Sequence, residues 1–484
     1  MDTELFEKAP VPKAYFSMAL PVVLSMIVTL VYNTVDTFFI GHTGNPDIVA
    51  GVSLAAPVFT MMIALGDIFG LGGSSVISRL FGQHRFHDAR IVSLMCFYGA
   101  LALGLIVAVA GLVLQAPLLH LLGANGKTFE YAGQYYFWII IASPCIIFSI
   151  VPSNLLRAEG FVIPSMIGQL AGSVINIVLN PVFISVLGLG AAGSAMATAL
   201  SNVIASGYYI WFLLRRSHNL SLDPRLLFAA CNTRHTTAAA RDGATATDDA
   251  TRDAVTPSGP HHRLLAEAGN VVAIGIPSSI TNIMQSLGII MVNHYLLSYG
   301  TDAVAAMGIA LKLTMIAVLV LVGFSFGAQP LIGYNYGSGN VMRLREILRF
   351  ALIFEVTLAV IMSMALAVPA HALMRLFINN PTIIVEGAEM LRMQVITTAV
   401  VAVIMLVTVT FQSTGKVVGA FLLSAGRQGF FLWIALAITS RAYGYQGVIA
   451  SQPVADALTG ALAVALFVAL LPDLTGMFTR RQHS

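Results

Sequence analysis

The chain has 484 residues, of which 57% are hydrophobic and only 10% are charged, and its formal net charge is +3. Soluble proteins carry about 25% charged residues, so this composition excludes an ordinary soluble protein and indicates several membrane crossings. The three cysteines form neither a metal-binding nor a disulfide pattern. The first apolar run follows a polar start and is too long for a signal peptide, so we interpret it as a retained span.

Apolar runs of about 20 residues or more predict transmembrane helices, because that length crosses the hydrocarbon core. Such runs lie at 14–41, 48–78, 92–115, 131–155, 161–187, 191–214, 265–297, 303–333, 349–371, 388–411, 418–440 and 447–471. The predicted fold class is therefore an all-α polytopic membrane protein with twelve transmembrane helices. Pro21 and Pro277 fall inside the first and seventh spans, and we expect Pro21 to act as a hinge because proline removes a backbone donor.

Basic residues are concentrated on the side of the membrane that holds the N-terminus, which predicts the orientation of the chain. They include Lys8, Lys13, Arg79, Arg85, Arg90, Arg157, Arg215, Arg216, Arg343, Arg345, Lys416, Arg480 and Arg481. Because the number of spans is even, both termini are predicted to be cytoplasmic. The expected location is a bacterial inner membrane.

A polar stretch lies between the sixth and seventh spans. Its centre is rich in Ala, Thr and Asp and poor in large apolar residues, which is typical of a disordered linker. We therefore predict an N-terminal six-helix lobe at 1–216, a disordered cytoplasmic linker at 217–262 and a C-terminal six-helix lobe at 263–484.

The two predicted lobes share an internal repeat. Residues 47–57 (DIVAGVSLAAP) match residues 302–312 (DAVAAMGIALK), and residues 68–82 match residues 323–337 at the same offset of 255. Six spans is an even number, so the two copies have the same orientation and are related by a pseudo-two-fold axis along the membrane normal. Substrate is then expected between or within the lobes, with access alternating as they rock.

One carboxylate, Asp36, lies in the outer part of the first span. An acid at the centre of a span costs roughly 2.5–3.5 kcal/mol on insertion scales and by default marks an ion or proton path. At a rise of 1.5 Å per residue, Asn180 in the fifth span and Thr198 in the sixth lie at a similar depth, and Asn176 is one helical turn from Asn180. These oxygens predict a site for H+ or a small cation such as Na+, although such amides can also serve only as glue between helices.

Other polar residues in the spans have more open roles. Asn33 lies three residues before Asp36 on the same helix face and is a possible helper. Asp67 in the second span could extend a proton path or be a hydrogen-bonded structural residue. For Asp456 we favour a structural or gating role, and we expect Glu355 to lie near the cytoplasmic surface.

Several motifs resemble the multidrug and toxic compound extrusion (MATE) transporters, nearest their DinF-like and MepA-like bacterial branch. The matching segments include VYNTVDTFFIG (31–41), FGLGGSSVISRLFG (69–82), NIVLNPVFI (176–184), GAAGSAMATALSN (190–202), GFSFGAQPLIGYNYG (323–337) and QPVAD (452–456). They cover both lobes in order and exclude only the linker.

The resemblance implies a V-shaped pair of six-helix lobes that exports organic, often cationic, compounds in exchange for H+ or Na+. It also implies that Asp36, with Asn176, Asn180 and Thr198, forms the cation-coupling site, which binds a metal ion only if the coupling ion is Na+. Two departures stand out. The family often has Asp at the position of Asn180, and the NorM-like branch has an acid at the position of Gln285, so a cation site in the C-terminal lobe is not expected.

The predicted function is therefore a secondary active antiporter for drugs, organic cations or metabolites that works by alternating access without a cofactor. We expect a monomer in the lipid bilayer with no nucleic-acid partner. A flippase for a lipid-linked precursor is the alternative, and it would need a cavity lined with Arg and Lys, which the spans almost lack. An enzyme is not expected, because the spans contain no HExxH, GxSxG or paired catalytic acids.

Overall fold

The computed structural model describes residues 3–43, 45–226 and 260–474, and the regular structure in these ranges is helical. The first six long helices are α1 Val11–His42, α2 Pro46–Gly82, α3 Phe86–Val113, α4 Gly126–Ala158, α5 Val162–Pro181 and α6 Gly190–Arg216. Helix α5 continues into a π-helical turn, Val182–Val186. Short helices at Thr3–Glu7 and Gln115–Leu121 complete this part.

The second half repeats this order. Its helices are α7 Pro260–Leu297, α8 Thr301–Gly337, α9 Val341–Ala367 and α10, which consists of Pro381–Val395 and Thr398–Thr414 bent by 41°. Helix α11 begins with Val417–Ala425, passes through a π-helical turn at Gly426–Phe430 and continues to residue 443. Helix α12 covers residues 445–470, and a short helix Ala370–Arg375 follows α9.

The boundary between α11 and α12 is a reversal of the chain at Gly444. The backbone there has φ 56° and ψ −129°, which is not helical. The hydroxyl of Thr439 donates to the carbonyl oxygen of Gly447 at 2.7 Å, although a straight helix would separate residues eight apart by about 12 Å. With this reversal, the twelve predicted transmembrane helices are confirmed in the described residues.

The ends of the helices differ from the predicted spans, because hydropathy detects the apolar run and the helix continues into polar sequence. Helix α9 is the clearest case. It begins at Val341 rather than 349 and ends at Ala367 rather than 371, just before Pro369.

Ordered structure extends into both edges of the predicted linker. The Ser217 hydroxyl and the Asn219 amide donate to Glu159 at the end of α4, at 2.6 and 3.0 Å. Helix α7 begins at Pro260. The centre of the predicted linker, 227–259, lies outside the described residues.

The two lobes, α1–α6 and α7–α12, meet at one end of the bundle. We call this the basic end, because it carries Arg79, Arg85, Arg90, Arg215, Arg216, Arg343, Arg345 and Lys416. A Cβ added to Gly82 would lie 2.1 Å from the carbonyl oxygen of Tyr334, and one added to Gly337 would lie 2.2 Å from that of Arg79. Glycine is therefore what allows the backbones of α2 and α8 to touch.

Hydrogen bonds also join the lobes at the basic end. Tyr15 of α1 donates to the Oε1 atom of Glu355 on α9 at 2.7 Å, and Ser325 of α8 donates to its Oε2 atom at 2.6 Å. Glu355 is fully buried in this contact at the basic end, which is the end that the sequence predicts to be cytoplasmic. Arg343 donates to the carbonyl oxygens of Phe6 and Ala9, both at 2.7 Å.

Candidate functional site

The N-terminal lobe brings the predicted coupling residues together from three helices, in its part away from the basic end. Asn180 on α5 donates through Nδ2 to Asn176 Oδ1 at 2.9 Å, and Asn176 donates through Nδ2 to the Thr198 hydroxyl on α6 at 3.1 Å. Asn176, Asn180 and Thr198 are all buried. Because α5 repeats every 3.6 residues, the two asparagines share one face and can form this chain of bonds.

Asp36 of α1 lies beside this chain. Its Oδ1 atom accepts a hydrogen bond from the hydroxyl of Ser194 at 2.7 Å, and its carboxylate also interacts with the Asn180 side chain. The phenol rings of Tyr32 and Tyr135 lie within electrostatic reach. An acid, two amides and two hydroxyls thus surround one point at the α1–α5–α6 junction.

One buried oxygen in this group is unused. Asn180 Oδ1 has no hydrogen-bond partner within the described residues. A buried amide oxygen without a partner typically loses about 1–3 kcal/mol of hydrogen-bonding free energy. Next to a carboxylate, such an oxygen can accept from a protonated acid or coordinate a small cation.

Sequence reasoning missed Ser194. It lies four residues before Thr198 and therefore on the same face of α6. That spacing is a signal that could have identified it, since a helix that presents Thr198 to Asn176 presents the preceding turn as well.

A cavity of about 540 Å³ lies between the lobes. Its apolar lining includes Met26, Phe59, Ile63, Met315, Phe326 and Met405, and its polar lining includes Asn33, Asp67, Asn154, Arg157, Asn176, Asn202, Asn282, Gln285, Gln412, Arg427 and Gln428. A mostly apolar wall with a few polar groups, in a volume of roughly 300–1,000 Å³, is typical of small-molecule sites.

The two predicted helpers of Asp36 line this cavity. Asn33 does so from α1. Asp67 faces the other lobe, where its Oδ2 atom accepts from Asn282 Nδ2 of α7 at 3.3 Å. It is also within electrostatic reach of Arg157. Asp67 therefore belongs to the contact between the lobes rather than to the hydrogen bonds around Asp36.

The expectation that the cavity almost lacks basic residues is wrong. Arg157 and Arg427 both line it, because the arginines near the ends of α4 and within α11 turn inward. Each has an acid nearby: Arg157 lies near Asp67, and Arg427 Nε lies 2.9 Å from Asp456 Oδ1. This pairing leaves no surplus of positive charge of the kind that a lipid pyrophosphate would require.

The predicted hinge residue, Pro21, lies inside α1, which continues on both sides of it. The Ser25 hydroxyl donates to the Pro21 carbonyl oxygen at 2.9 Å, one turn further along the helix. Helix α8 approaches α1 on both sides of Pro21, with Gly327 at Ala19 and Gly323 at Val23, and Asp36 lies 15 residues beyond the proline.

The family model described as MatE matches the chain twice, over residues 21–182 and 277–436. The second match begins 256 residues after the first, in agreement with the internal repeat.

Two curated relatives cover nearly the whole chain. The multidrug export protein MepA of Staphylococcus haemolyticus is 30% identical over 471 residues, which cover 97% of this chain and 96% of that protein. The multidrug export protein MepA of Staphylococcus aureus is 29% identical over 468 residues, with the same coverage.

Solved structures have the same fold. An outward-facing multidrug resistance MATE family transporter superposes with a TM-score of 0.84 at 23% identity, covering 98% of both chains. A MATE transporter in a straight conformation superposes with a TM-score of 0.85 at 22% identity, again covering 98% of both chains.

Proposed function

This chain belongs to the MatE family of transporters, and we propose that it is a secondary antiporter that exports drugs and other organic compounds, cations among them, in exchange for H+ or Na+. Its staphylococcal relatives are multidrug export proteins that match it over nearly their whole length. The protein crosses the membrane several times, and its fold is that of a transporter rather than an enzyme.

The observation that carries this proposal is the double position of Asn176. This residue bonds to Asn180 and Thr198 in the group around Asp36, and it also lines the cavity between the lobes. A substrate in the cavity can therefore contact Asn176, which is linked through Asn180 to the carboxylate of Asp36. Exchange of one for the other requires such a physical connection.

The proposed cycle begins with the lobes closed at the basic end. Asp36 takes up an ion from the opposite side, where a bacterium's inward gradient supplies it, and its negative charge is neutralised. The bonds from Ser194 and Asn180 to the carboxylate then weaken, and the outer part of α1 repacks beyond Pro21. Substrate leaves, the lobes rock, and the ion is released on the basic side.

The topology is part of the same proposal. The basic end faces the cytoplasm, because short loops rich in Lys and Arg stay on that side. Both termini are then cytoplasmic, the membrane is a bacterial inner membrane, and the protein works as a monomer in the bilayer.

Asp36→Asn tests the coupling role. The assay measures efflux of a fluorescent lipophilic cation by the full-length protein in lipid vesicles under an imposed pH or Na+ gradient. We expect the variant to lose gradient-driven efflux by at least about 100-fold, since an amide cannot take up H+ or neutralise Na+. The gradient that drives the wild type identifies the coupling ion.

Asp302→Asn is the matched control, because Asp302 is an exposed acid in the first turn of α8. It should leave efflux unchanged. Both variants are compared with the wild type for yield and thermal unfolding in detergent. Full gradient-driven efflux by a correctly folded Asp36→Asn protein would overturn the mechanism.

A further inference from the structure

The wall of the cavity formed by α11 contains a charged group that the proposed exchange does not use. Arg427 lies on the π-helical turn Gly426–Phe430, and its Nε atom donates to Asp456 Oδ1 at 2.9 Å. Asp456 is almost completely buried, and its Oδ2 atom accepts from the hydroxyl of Thr397 at 2.8 Å. The carboxylate is therefore held inside the protein behind the guanidinium.

The remaining donors of Arg427 are free for a ligand. Its Nη1 and Nη2 atoms have no hydrogen-bond partner in the part of the chain that the structure describes, and the residue lines the cavity. A guanidinium presents its donors in a fixed planar fork that matches a carboxylate. With Nε already bonded to Asp456, the fork is held in one orientation.

Further polar groups converge on the same place. The Ser424 hydroxyl, one turn before Arg427, is buried without a partner in the described ranges. Gln428 packs against α7 at Gly288, since its Oε1 atom lies 3.2 Å from where a Cβ of that glycine would be. Gln285 is on the adjacent turn of α7 and lines the cavity as well. A π-helical turn inside an α-helix is often found at a functional site.

The charges around the cavity also favour one class of substrate. Its charged lining residues are Asp67, Arg157 and Arg427, and Asp456 lies directly behind the last. Two positive and two negative charges leave a formal sum of zero. A zwitterion matches both signs of charge in this lining, because its carboxylate can pair with an arginine and its cationic group with Asp67.

We propose that Arg427, Ser424 and Gln428 form a subsite for the carboxylate of a zwitterionic organic compound, whose cationic group faces Asp67 in the same cavity. This inference rests on the proposed exchange function and narrows its substrate class. It assigns to the C-terminal lobe the recognition of a negative group, while the N-terminal lobe binds the coupling ion.

The test uses two rhodamines that share one fluorophore, a zwitterion with a free carboxylate and its methyl ester, which is a cation. Binding to the purified full-length protein is followed by fluorescence anisotropy, which needs no ion gradient. We expect the wild type to bind the free carboxylate about tenfold or more tightly than the ester, the ratio typical of a charge-assisted hydrogen bond.

Removing the guanidinium alone would leave Asp456 buried and unpaired, so the informative variant is the double substitution Arg427→Gln with Asp456→Asn. It should reduce the preference to about one by weakening only the binding of the carboxylate form. Arg427→Lys, which keeps the charge and loses the fork, should retain part of the preference. Arg441→Gln, an exposed arginine on the same helix, should leave the preference unchanged.

Equal binding of both dyes by the wild type would overturn the subsite. So would a double variant that keeps the wild-type ratio, or one that weakens the binding of both dyes equally, since equal weakening indicates a structural role. The exchange function is judged separately, by gradient-driven efflux with Asp36→Asn, and its failure would leave the measured binding ratio intact.

Discussion

Asp36 depends on groups that are remote in sequence, since its closest hydrogen-bond donor is Ser194, 158 residues away. A hydroxyl 2.7 Å from a carboxylate oxygen restricts the position of the acid and stabilises its charged form. Helix α6, which carries Ser194, also presents Thr198 to Asn176, so it contacts both the acid on α1 and the amides on α5.

Ser194→Ala should therefore impair coupling without removing the acid. A hydrogen bond to a charged group contributes about 1.5–3 kcal/mol, so we expect the initial rate of gradient-driven efflux to fall by about tenfold or more. The measurement is dye efflux from vesicles that contain equal amounts of protein.

Ser206→Ala is the matched control for Ser194→Ala, because Ser206 is a buried serine on the same helix whose hydroxyl donates to the Cys145 carbonyl oxygen at 3.2 Å. Its efflux rate should stay near that of the wild type. Equal loss in both variants would indicate a general packing effect in α6 and contradict the specific role of Ser194.

The sequence predicts that Asp36 forms one polar group with Asn176, Asn180 and Thr198, because a charge in a span is costly and the other three lie at a similar depth. The role of these residues in ion coupling stays a prediction. Ser194 could not be singled out, since serine is common at helix contacts in membranes. The sequence did not indicate that Arg157 and Arg427 line the cavity, because arginines near the ends of spans usually snorkel toward the membrane surface.

Among the helices, α5 and α11 hold equivalent places in the two lobes and have diverged. At the repeat offset of 255, Asn176 and Asn180 correspond to Phe431 and Ala435. Each helix contains a π-helical turn, but that of α5 follows Pro181 and that of α11 contains Arg427. Hydropathy predicts both spans, yet it cannot predict these turns, which depend on local packing of the backbone.

Helices α2 and α8 approach each other through glycines, so an added methyl group should act as a wedge. Gly337→Ala would place a Cβ 2.2 Å from the Arg79 carbonyl oxygen. Overpacking of this kind costs about 1–3 kcal/mol, so we expect the basic end to open and efflux to fall. Spin labels at His87 and Met342, which are exposed residues of opposite lobes near this end, should show a longer distance.

Gly308→Ala provides the control for the wedge. It lies on the same helix, and nothing lies within 4 Å of the added Cβ. The distance between the labels should then equal that of the wild type. An unchanged distance in Gly337→Ala would contradict the view that direct backbone contact holds the lobes together at the basic end.

For the molecule as a whole, the hydrogen bonds between the lobes in the described residues use N-terminal-lobe positions 6–15 and 64–85. The lobes are therefore joined from the basic end as far as the middle of α2. The architecture was predictable from sequence, because span length, the repeat and its parity define two parallel six-helix units. Which end is closed was not predictable, since both closed ends of a rocking transporter must be compatible with one sequence.

Alternating access requires this joint to open, and a disulfide across it tests that requirement. A Cβ on Gly333 would lie 2.8 Å from the Cβ of Ser78. Disulfides need roughly 3.5–4.5 Å between these atoms, so a small separation of the two helices would admit the bridge. After replacement of the three native cysteines, the variant Ser78→Cys with Gly333→Cys should lose efflux on oxidation and regain it on reduction.

The two single cysteine variants are the controls for the disulfide. The efflux rate of each should change neither with oxidant nor with reductant. Formation of the disulfide is measured by electrophoresis after proteolytic cleavage between the lobes, since only the bridged protein then keeps its two halves together. Undiminished efflux by the fully bridged protein would show that the lobes need not separate at this end.

Asn176 belongs both to the group around Asp36 and to the lining of the cavity, and this double position has a thermodynamic consequence. When the binding of one ligand changes the affinity for another, the coupling free energy is the same in both directions. If an ion at Asp36 raises the dissociation constant of the substrate by some factor, the substrate must raise the dissociation constant of the ion by the same factor. The effect of the ion on substrate affinity and the effect of the substrate on ion affinity are thus one coupling free energy, and the hydrogen bonds of Asn176 link the two sites.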